Sequence, residues 1–469
     1  MGRRRSKYIP ELLENVTVGP AASQGNCVAR VNEKVVFVKY GAPGDVADLR
    51  VSGKKKKFLM AHIENLITPS EQRTDSFCAH FGTCGGCKWQ HLKYEHQLEF
   101  KEQEVKDAFQ RIGKVEPKEY LPILGATETK EYRNKVEFTF SNKAWIDDFD
   151  KENPEKLNAL GFHVPGRFDK VLDLNECHLM PPEANDIRSF VKEIAEENDL
   201  PFFDIRQQTG LLRNLMIRRT SLGHWMVLLV VSQKNEKAIK LILDGLKEQF
   251  SFITSLLYVV NNKANDTIYD LPVHNHSGES YIEEKLGDYT FMVRPKSFFQ
   301  TNTEQAKVLY ETAKNLANIQ PDETVYDLYT GTGSIAIYNS AEAKKIVGIE
   351  SVEDAIKDAK QNALKNNVSN CSFFVGDMRK VLNDKFIQEN GTPDVIITDP
   401  PREGMHPDVV QKILDVSPKR IVYVSCNPAT QARDLDLLRE KYYIEKSQAV
   451  DMFPHTHHVE NVVLLLPIN

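Results

Sequence analysis

Apolar and polar residues follow one another along this chain in three successive rhythms. Up to about residue 68 the apolar residues gather in short β-rich runs cut by turn signals. VNEKVVFVKY is followed by Gly41-Ala42-Pro43-Gly44-Asp45, then VADLRVS, then Lys54-Lys55-Lys56-Lys57, then FLMAHIENLI ahead of Thr68-Pro69-Ser70. Short strands at this spacing predict a small β-barrel of the OB kind, with Cys27 inside it as a small apolar residue. Tyr94 to Ile112 has apolar residues at helical spacing and reads as one long amphipathic helix. From Tyr132 to about Leu286, RNKVEFTF, LRNLMIRRT, HWMVLLVVS and SLLYVVNN alternate with two helical stretches, and DDFDKENPEKLN interrupts them as a polar surface insertion. After about residue 290 the runs TVYDLY, KKIVGIE, CSFFVGD, DVIITDPP and RIVYVSCN are each followed by a helical pattern. That regularity predicts a parallel α/β sheet, which binds ligands at the carboxyl ends of its strands. The last two runs, EKSQAVDMFP and VENVVLLLPI, lack an intervening helix and predict an antiparallel pair.

Composition sharpens this picture in three ways. A chain of 469 residues exceeds one ordinary core, so two or three domains are expected. No apolar run approaches the roughly 20 residues that span a bilayer, and MGRRRSKYIPELLENV has no apolar stretch behind its basic residues, so a cytoplasmic protein is expected. The net charge is -6, yet residues 1–70 carry 12 Lys and Arg against 6 Asp and Glu. A basic front end on an acidic body predicts a polyanion-binding surface at the N-terminus, although a solvated lysine loop would give the same count. Seven cysteines, an odd number, argue against a disulfide framework.

Candidate chemistry begins at the first strand of the parallel region. Asp327-Leu328-Tyr329-Thr330-Gly331-Thr332-Gly333-Ser334 would join that strand to a helix, and its glycines let the backbone turn sharply against a ligand. Glu350 ends the next strand about 20 residues on, where a carboxylate takes the ribose hydroxyls of a nucleoside. Two glycines, rather than the three that cradle a pyrophosphate, fit S-adenosylmethionine better than NAD. Asp377 and Asp399 end the third and fourth strands at the same rim. Each acid alone reads equally well as a helix cap or a loop charge; together, at consecutive strand ends, they define a nucleoside site.

Cys426, in Val424-Ser425-Cys426-Asn427-Pro428, ends the next strand just before a helix expected to begin near Thr430. A helix N-terminus there is expected to lower the thiol's pKa. Cys371 starts its strand on the opposite edge and reads as a small buried hydrophobe. A thiolate at the cofactor rim permits covalent catalysis: addition to C6 of uracil makes C5 nucleophilic enough to take a methyl group. A base must then remove the C5 proton, and Glu460 in His455-Thr456-His457-His458-Val459-Glu460-Asn461 is the candidate. The three histidines read as surface polarity or RNA contact rather than as a metal site.

Asp399-Pro-Pro-Arg402, Ser425-Cys426-Asn427-Pro428, the PHTHHVEN ending and Ser297-Phe298-Phe299-Gln300-Thr301-Asn302 together resemble the RNA uracil-C5 methyltransferases. The resemblance covers nearly the whole chain. It implies cofactor contacts from Gln300, Tyr329, Glu350 and Asp399, with Ser334 and Asp377 as further candidates, and it implies Cys426 as nucleophile and Glu460 as proton acceptor. Thr330 departs from the family, many members of which have Cys there.

Cys78, Cys84 and Cys87 crowd into ten residues with Gly82, Gly85 and Gly86, and Cys177 is the remaining candidate for a fourth ligand. Spacing alone leaves zinc and an iron–sulfur cluster both open; the resemblance implies a [4Fe-4S] cluster. The barrel resembles a TRAM domain, and barrel and cluster together point to 23S rRNA, with tRNA second. The implied architecture is multidomain α/β. It comprises a barrel at 1–68, a central α+β domain at 69–89 and 122–292 with an insertion at 143–160, and a Rossmann-like methyltransferase domain at 90–121 and 293–469. A monomer is expected. Arg3-Arg4-Arg5, Lys54 to Lys57 and Arg133 are candidate RNA contacts, and Phe298 a stacking platform for a flipped base. A cytosine-C5 methyltransferase, a radical enzyme, and a non-catalytic RNA-binding assembly protein that retains the fold are the competing readings.

Overall fold

The computed structural model describes residues 11–146 and 158–468; the Arg3-Arg4-Arg5 arm and all but the last residue of DDFDKENPEKLN lie outside the described residues. The chain forms two compact units: one holds the described residues up to Glu104 together with Phe453–His458, the other Val105–Met452 and the chain from Val459 onward.

The first unit opens with five strands, β1 (Leu12–Thr17), β2 (Cys27–Val31), β3 (Lys34–Lys39), β4 (Val46–Lys54) and β5 (Phe58–Thr68), in the order β1-β4-β5-β3-β2. Gly19 N donates to Val28 O (2.8 Å) and Val28 N to Pro20 O (2.9 Å), so the chain leaving β1 meets β2 and the sheet closes on itself. Leu13, Val36, Val38, Leu49, Val51 and Ala61 fill the interior. Cys27 is buried among them and its thiol donates to Gly41 O. Asp45, fully buried, accepts from Arg73 Nε (2.7 Å), Ser70 N (3.0 Å) and Ala42 N (2.6 Å), which pins the turn after β3 to the chain leaving β5. Burial opposes the charge of Asp45, but Arg73 and the two amides outweigh it and lower its pKa.

A helix, α1 (Tyr94–Ala108), follows and ends in a π-helical turn at Phe109–Gly113, one residue beyond the Tyr94–Ile112 span the sequence marks as helical. A side chain at Gly113 would meet Ala432 O at 2.6 Å, so only glycine fits there. Next comes β6 (Glu119–Leu124), then β7 (Lys135–Ser141), β8 (Ala159–Val164), β9 (Arg167–Asp173), α2 (Pro182–Glu197), β10 (Leu212–Arg219), β11 (Trp225–Val231), α3 (Glu236–Gln249), β12 (Ile253–Val260) and β13 (Val273–Gly278). The seven strands from β7 onward form one sheet, ordered β13-β12-β11-β10-β7-β8-β9. WMVLLVV of β11 is buried along its whole length, as a central strand covered on both faces must be.

The hairpin β14 (Ile282–Leu286) and β15 (Tyr289–Val293) leads into α4 (Thr303–Ala317) and then β16 (Thr324–Leu328), α5 (Ser334–Tyr338), β17 (Lys345–Glu350), α6 (Glu353–Lys365), β18 (Cys371–Val375), α7 (Met378–Val381) and α8 (Asp384–Asn390). β19 (Val395–Thr398), α9 (Pro407–Val416), β20 (Arg420–Ser425), α10 (Pro428–Leu438), β21 (Tyr442–Val450) and β22 (Glu460–Pro467) complete the chain. The sheet order is β18-β17-β16-β19-β20-β22-β21-β6. β16 to β20 run parallel, β22 is inserted antiparallel between β20 and β21, and β6 lies parallel on the outer edge of β21. The core joins Tyr326, Val347, Ile396, Ile421 and Tyr423 with Val105, Ala108 and Phe109.

Candidate active site

The strand order reverses on either side of β16, and at such a point the loops after adjacent strands part and leave a crevice. The expected cofactor residues follow these strand ends: Tyr329 after β16, Glu350 at the end of β17, Asp377 after β18 and Asp399 after β19. Gly331 has φ +55° with no atom within 4 Å of where a Cβ would stand, so the turn opens onto empty space. Gly333 has φ +79°, and a Cβ there would lie 3.0 Å from Ala359 and Phe373, so this second glycine serves packing instead. Glu350 accepts from Gly331 N (3.3 Å) with one oxygen and from Ser351 N (2.7 Å) and Val352 N (2.9 Å) with the other. A cavity of about 620 Å³ is lined by Gly331, Glu350, Val352, Ser297 and Phe298 among others. Its glycine opening, carboxylate and exposed apolar wall suit an adenosine.

The other expected cofactor residues differ in their surroundings. Gln300 is buried in the segment ahead of α4. Tyr329 has φ +65° and packs its ring against the sheet core, and burial raises its hydroxyl pKa to about 12. Ser334 shares a hydrogen bond with Tyr310 Oη (3.0 Å). Asp377 caps α7, accepting from Arg379 N, and pairs with the Arg379 guanidinium, which lowers its pKa to about 2. The helix-cap role open to any acid at a strand end is the one Asp377 fills.

Cys426 and Glu460 come together through strand register. Ser425 stands opposite Asn461 in the β20–β22 pair, so the residues just beyond, one leaving β20 and one entering β22, are neighbours. α10 starts at Pro428 with Asn427 as its N-cap, two residues before the expected start. The thiol is not activated in the manner expected. Burial pushes the Cys426 pKa up to about 12, and the nearby Glu460 and Asp399 carboxylates add to the rise, while Arg402 opposes it. Two carboxylates and desolvation outweigh one helix terminus. Burial also raises Asp399 to about 7, and it raises Glu460, 6% exposed, well above the ordinary range, with Asp399 adding and Arg402 opposing. Arg402 is therefore the cation of this cluster. Its place in Asp399-Pro-Pro-Arg402 was the available signal, though nothing in that tetrapeptide shows that its charge acts on Cys426. Cys371 is half-buried at the start of β18, and burial raises its pKa to about 12.

The loop ahead of β22 is not surface polarity. In the first unit His455 is buried, its carbonyl accepts from Lys88 N (2.8 Å) and Trp89 N (3.0 Å), and Gln97 Oε1 accepts from its amide (2.8 Å). The same unit holds Cys78, Cys84 and Cys87; Cys78 N donates to Gln90 Oε1, and Cys84 and Cys87 lie close enough to Tyr40 to raise its pKa in addition to burial. Cys177 belongs to the second unit, where its amide donates to Asn185 Oδ1 (2.8 Å). Among the described residues no three or more His, Cys, Asp or Glu side chains form a group able to hold a metal ion. Phe298 is exposed (71%) on the cavity wall, Lys54 pairs with Glu11 (2.6 Å), and Arg133 lines a second groove with Arg219 and Glu304.

The sheet order, with its crevice beside β16, defines the doubly wound α/β class that binds ligands at the carboxyl ends of its strands. Residues 276–467 match the family model for tRNA (uracil-5-)-methyltransferase, and residues 14–63 match the TRAM domain. An uncharacterized RNA methyltransferase of Bacteroides thetaiotaomicron is 51% identical over 450 residues, covering 95% of this chain and 99% of that protein. One of Porphyromonas gingivalis is 50% identical over 455 residues, covering 95% and 98%. The crystal structure of Pyrococcus abyssi tRNA (uracil-54, C5)-methyltransferase in complex with S-adenosyl-L-homocysteine is similar with a TM-score of 0.75 at 29% identity, covering 96% of this chain and 99% of that one. The chain belongs to the S-adenosylmethionine-dependent RNA methyltransferases and carries a domain of the tRNA (uracil-5-)-methyltransferase family.

Proposed function

We propose that this protein methylates C5 of a uridine in RNA, with Cys426 as nucleophile and Glu460 as proton acceptor. The observation that carries this reading is the β20–β22 register, which sets a thiol beside a carboxylate at the rim. Cys426 stands two strands from β16 and its glycine turn and Glu460 three, and the separation of about 10 Å from turn to thiol is one that a uracil and a methyl donor would fill. S-adenosylmethionine supplies an electrophilic methyl group. Gln300, Tyr329, Glu350 and Asp399 would hold it, and Ser334 and Asp377 would do so only by sharing or giving up the partners they already have. The Cys426 thiol gives up its proton to solvent and its sulfur adds to C6; the resulting enolate lets C5 bond to the methyl carbon as that carbon's bond to the donor sulfur breaks and S-adenosylhomocysteine leaves. Glu460 takes the proton from C5, the electrons of that C–H bond restore the C5–C6 double bond, and the thiolate leaves. A base whose pKa is raised accepts that proton readily once ionised.

Large-subunit 23S rRNA is the first substrate proposed, because a TRAM barrel accompanies the cysteine pattern. A specific observation favours tRNA as the second: the Pyrococcus abyssi protein that aligns over the whole chain is a tRNA methyltransferase, so the barrel does not by itself select rRNA. The [4Fe-4S] cluster on Cys78, Cys84, Cys87 and Cys177 is proposed from the resemblance of the cysteine pattern to that of the uracil-C5 methyltransferases, and no step of the reaction is routed through it. The protein is proposed to act as a monomer in the cytoplasm.

Unmodified 23S rRNA and tRNA transcripts, incubated with the protein and S-adenosylmethionine and digested to nucleosides, should yield 5-methyluridine from one of them. Cys426→Ala should give none while still binding RNA, and Glu460→Gln should accumulate a covalent RNA–protein species. Normal turnover by Cys426→Ala would end the nucleophile assignment, and RNA binding without methylation of either transcript would favour a non-catalytic assembly role.

A further inference from the structure

The segment Arg294–Asn302 carries Phe298 and Gln300 yet has no regular secondary structure of its own. Its conformation is therefore fixed by whatever bonds its main chain. Asn134, buried just before β7, provides two of those bonds and one to the first residue of α4: its Nδ2 donates to Gln300 O (2.8 Å) and to Thr303 Oγ1 (2.9 Å), and its amide donates to Thr301 O (2.8 Å). Thr303 Oγ1 passes the interaction on to Glu284 Oε2 (2.7 Å), and the other Glu284 oxygen accepts from Ser221 N (2.9 Å) and Ser221 Oγ (2.5 Å). Glu284 is 1% exposed, so this carboxylate is held by neutral donors in a dry network. At the other end of the segment Arg218, also buried, donates to Ser297 O (2.7 Å), and Ser297 Oγ donates to Asp358 Oδ2 (2.7 Å) on α6.

We propose that Asn134 is a positioning residue for the cofactor site, setting Gln300 through its main-chain carbonyl, with Thr303 and Glu284 fixing the orientation of the Asn134 carboxamide. The inference rests on the reading of Gln300 as a cofactor contact. The bonds to Gln300 O and Thr301 O hold the two peptide units on either side of the Thr301 Cα, and rotation of the first, which begins at the Gln300 Cα, would swing the Gln300 side chain. Bonds from the central sheet thus determine where a cofactor side chain points. Arg133, its neighbour in the sequence, is the residue of this stretch that draws notice as an RNA contact; the amide beside it has the structural reach.

Titration of the full chain with S-adenosylhomocysteine, well below its unfolding temperature, tests this. Loss of a buried hydrogen-bond donor to that carbonyl is expected to weaken binding about tenfold in Asn134→Ala. Thr303→Val should weaken it less, and Thr303→Ser, which keeps the hydroxyl, should bind within about twofold of the parent. A merely structural role would instead lower the unfolding temperature of Asn134→Ala and Thr303→Val with no change in Kd, and that result overturns the proposal. Should Asn134→Ala fail to fold, the Thr303→Val and Thr303→Ser pair decides on the same criterion. Gln300→Ala is the control for the underlying reading. If it weakens binding while the Asn134 and Thr303 variants do not, only the positioning role fails; if it binds like the parent, the cofactor role of Gln300 fails and the inference with it.

Discussion

Cys426 stands among Glu460, Asp399 and Arg402, and their balance sets its ionisation. With the thiol pKa at about 12, the thiolate fraction near neutral pH is far below that of an ordinary cysteine. Carboxamidomethylation at Cys426 without RNA should therefore be slow, and its rate should keep climbing beyond about pH 10 instead of levelling near the usual thiol value of roughly 8.5. Glu460→Gln removes one of the two negative neighbours and should move that rise to lower pH. Peptide mass mapping across a pH series would show this, and a plateau by about pH 8 would contradict it. The acids at strand ends could be read from the sequence because each follows an apolar run within its own segment. The acid–base state of Cys426 could not be, because Asp399 and Glu460 reach it from β19 and β22, and only sheet order reveals that they are its neighbours.

Among the elements, the β4–β5 turn has a distinct electrostatic role. Lys55 N donates to Phe58 O and closes the turn, so Lys55, Lys56 and Lys57 stand at its tip, while Lys54 is paired with Glu11. Replacing Lys55, Lys56 and Lys57 with Ala should reduce the slope of log Kd against log salt for RNA by about 2, since each phosphate contact on a single strand contributes roughly 0.7. Lys54→Ala should change it less, because Glu11 already offsets that charge. Fluorescence anisotropy over a salt series measures both. Most strands were legible as local runs of alternating or continuous apolar residues. β1 was not: its register shifts between Leu13 and Val16, and Asn15 at φ +51° breaks the alternation that would have marked it. The start of α10 was signalled by Asn427-Pro428, a capping residue followed by proline at the first helical position, yet the helix was expected two residues later. The Asn134 network was out of reach, because its partners lie 166 and 169 residues away.

For the whole molecule, the barrel, the central sheet and the parallel sheet follow the three rhythms in the sequence. The cysteine pattern is the part of the reading legible only as spacing: Cys78, Cys84 and Cys87 belong to one unit and Cys177 to the other, and the described residues form no metal-holding group. Ligand spacing is written in the sequence, whereas convergence of thiolates depends on binding, because a ligand set often forms only with its metal. Protein purified without oxygen should be brown and contain iron and acid-labile sulfide in equal amounts, and Cys87→Ser should lose both. Zinc in place of iron would refute the cluster proposal.

The placement of β6 has a practical consequence. The strand that finishes the C-terminal sheet comes from Glu119–Leu124, and Phe109 in the turn before it packs into the same core, although both precede the seven-stranded sheet in the chain. A gene fragment beginning at the β14–β15 hairpin would encode every rim residue named above, though not Asn134. Its product would still present β21 as a bare edge and leave a greasy hollow where Phe109 belongs, an invitation to self-association. The catalytic half is thus not a portable cassette: on the ribosome it stays unfinished, holding an early segment in reserve, until the last strand has been made.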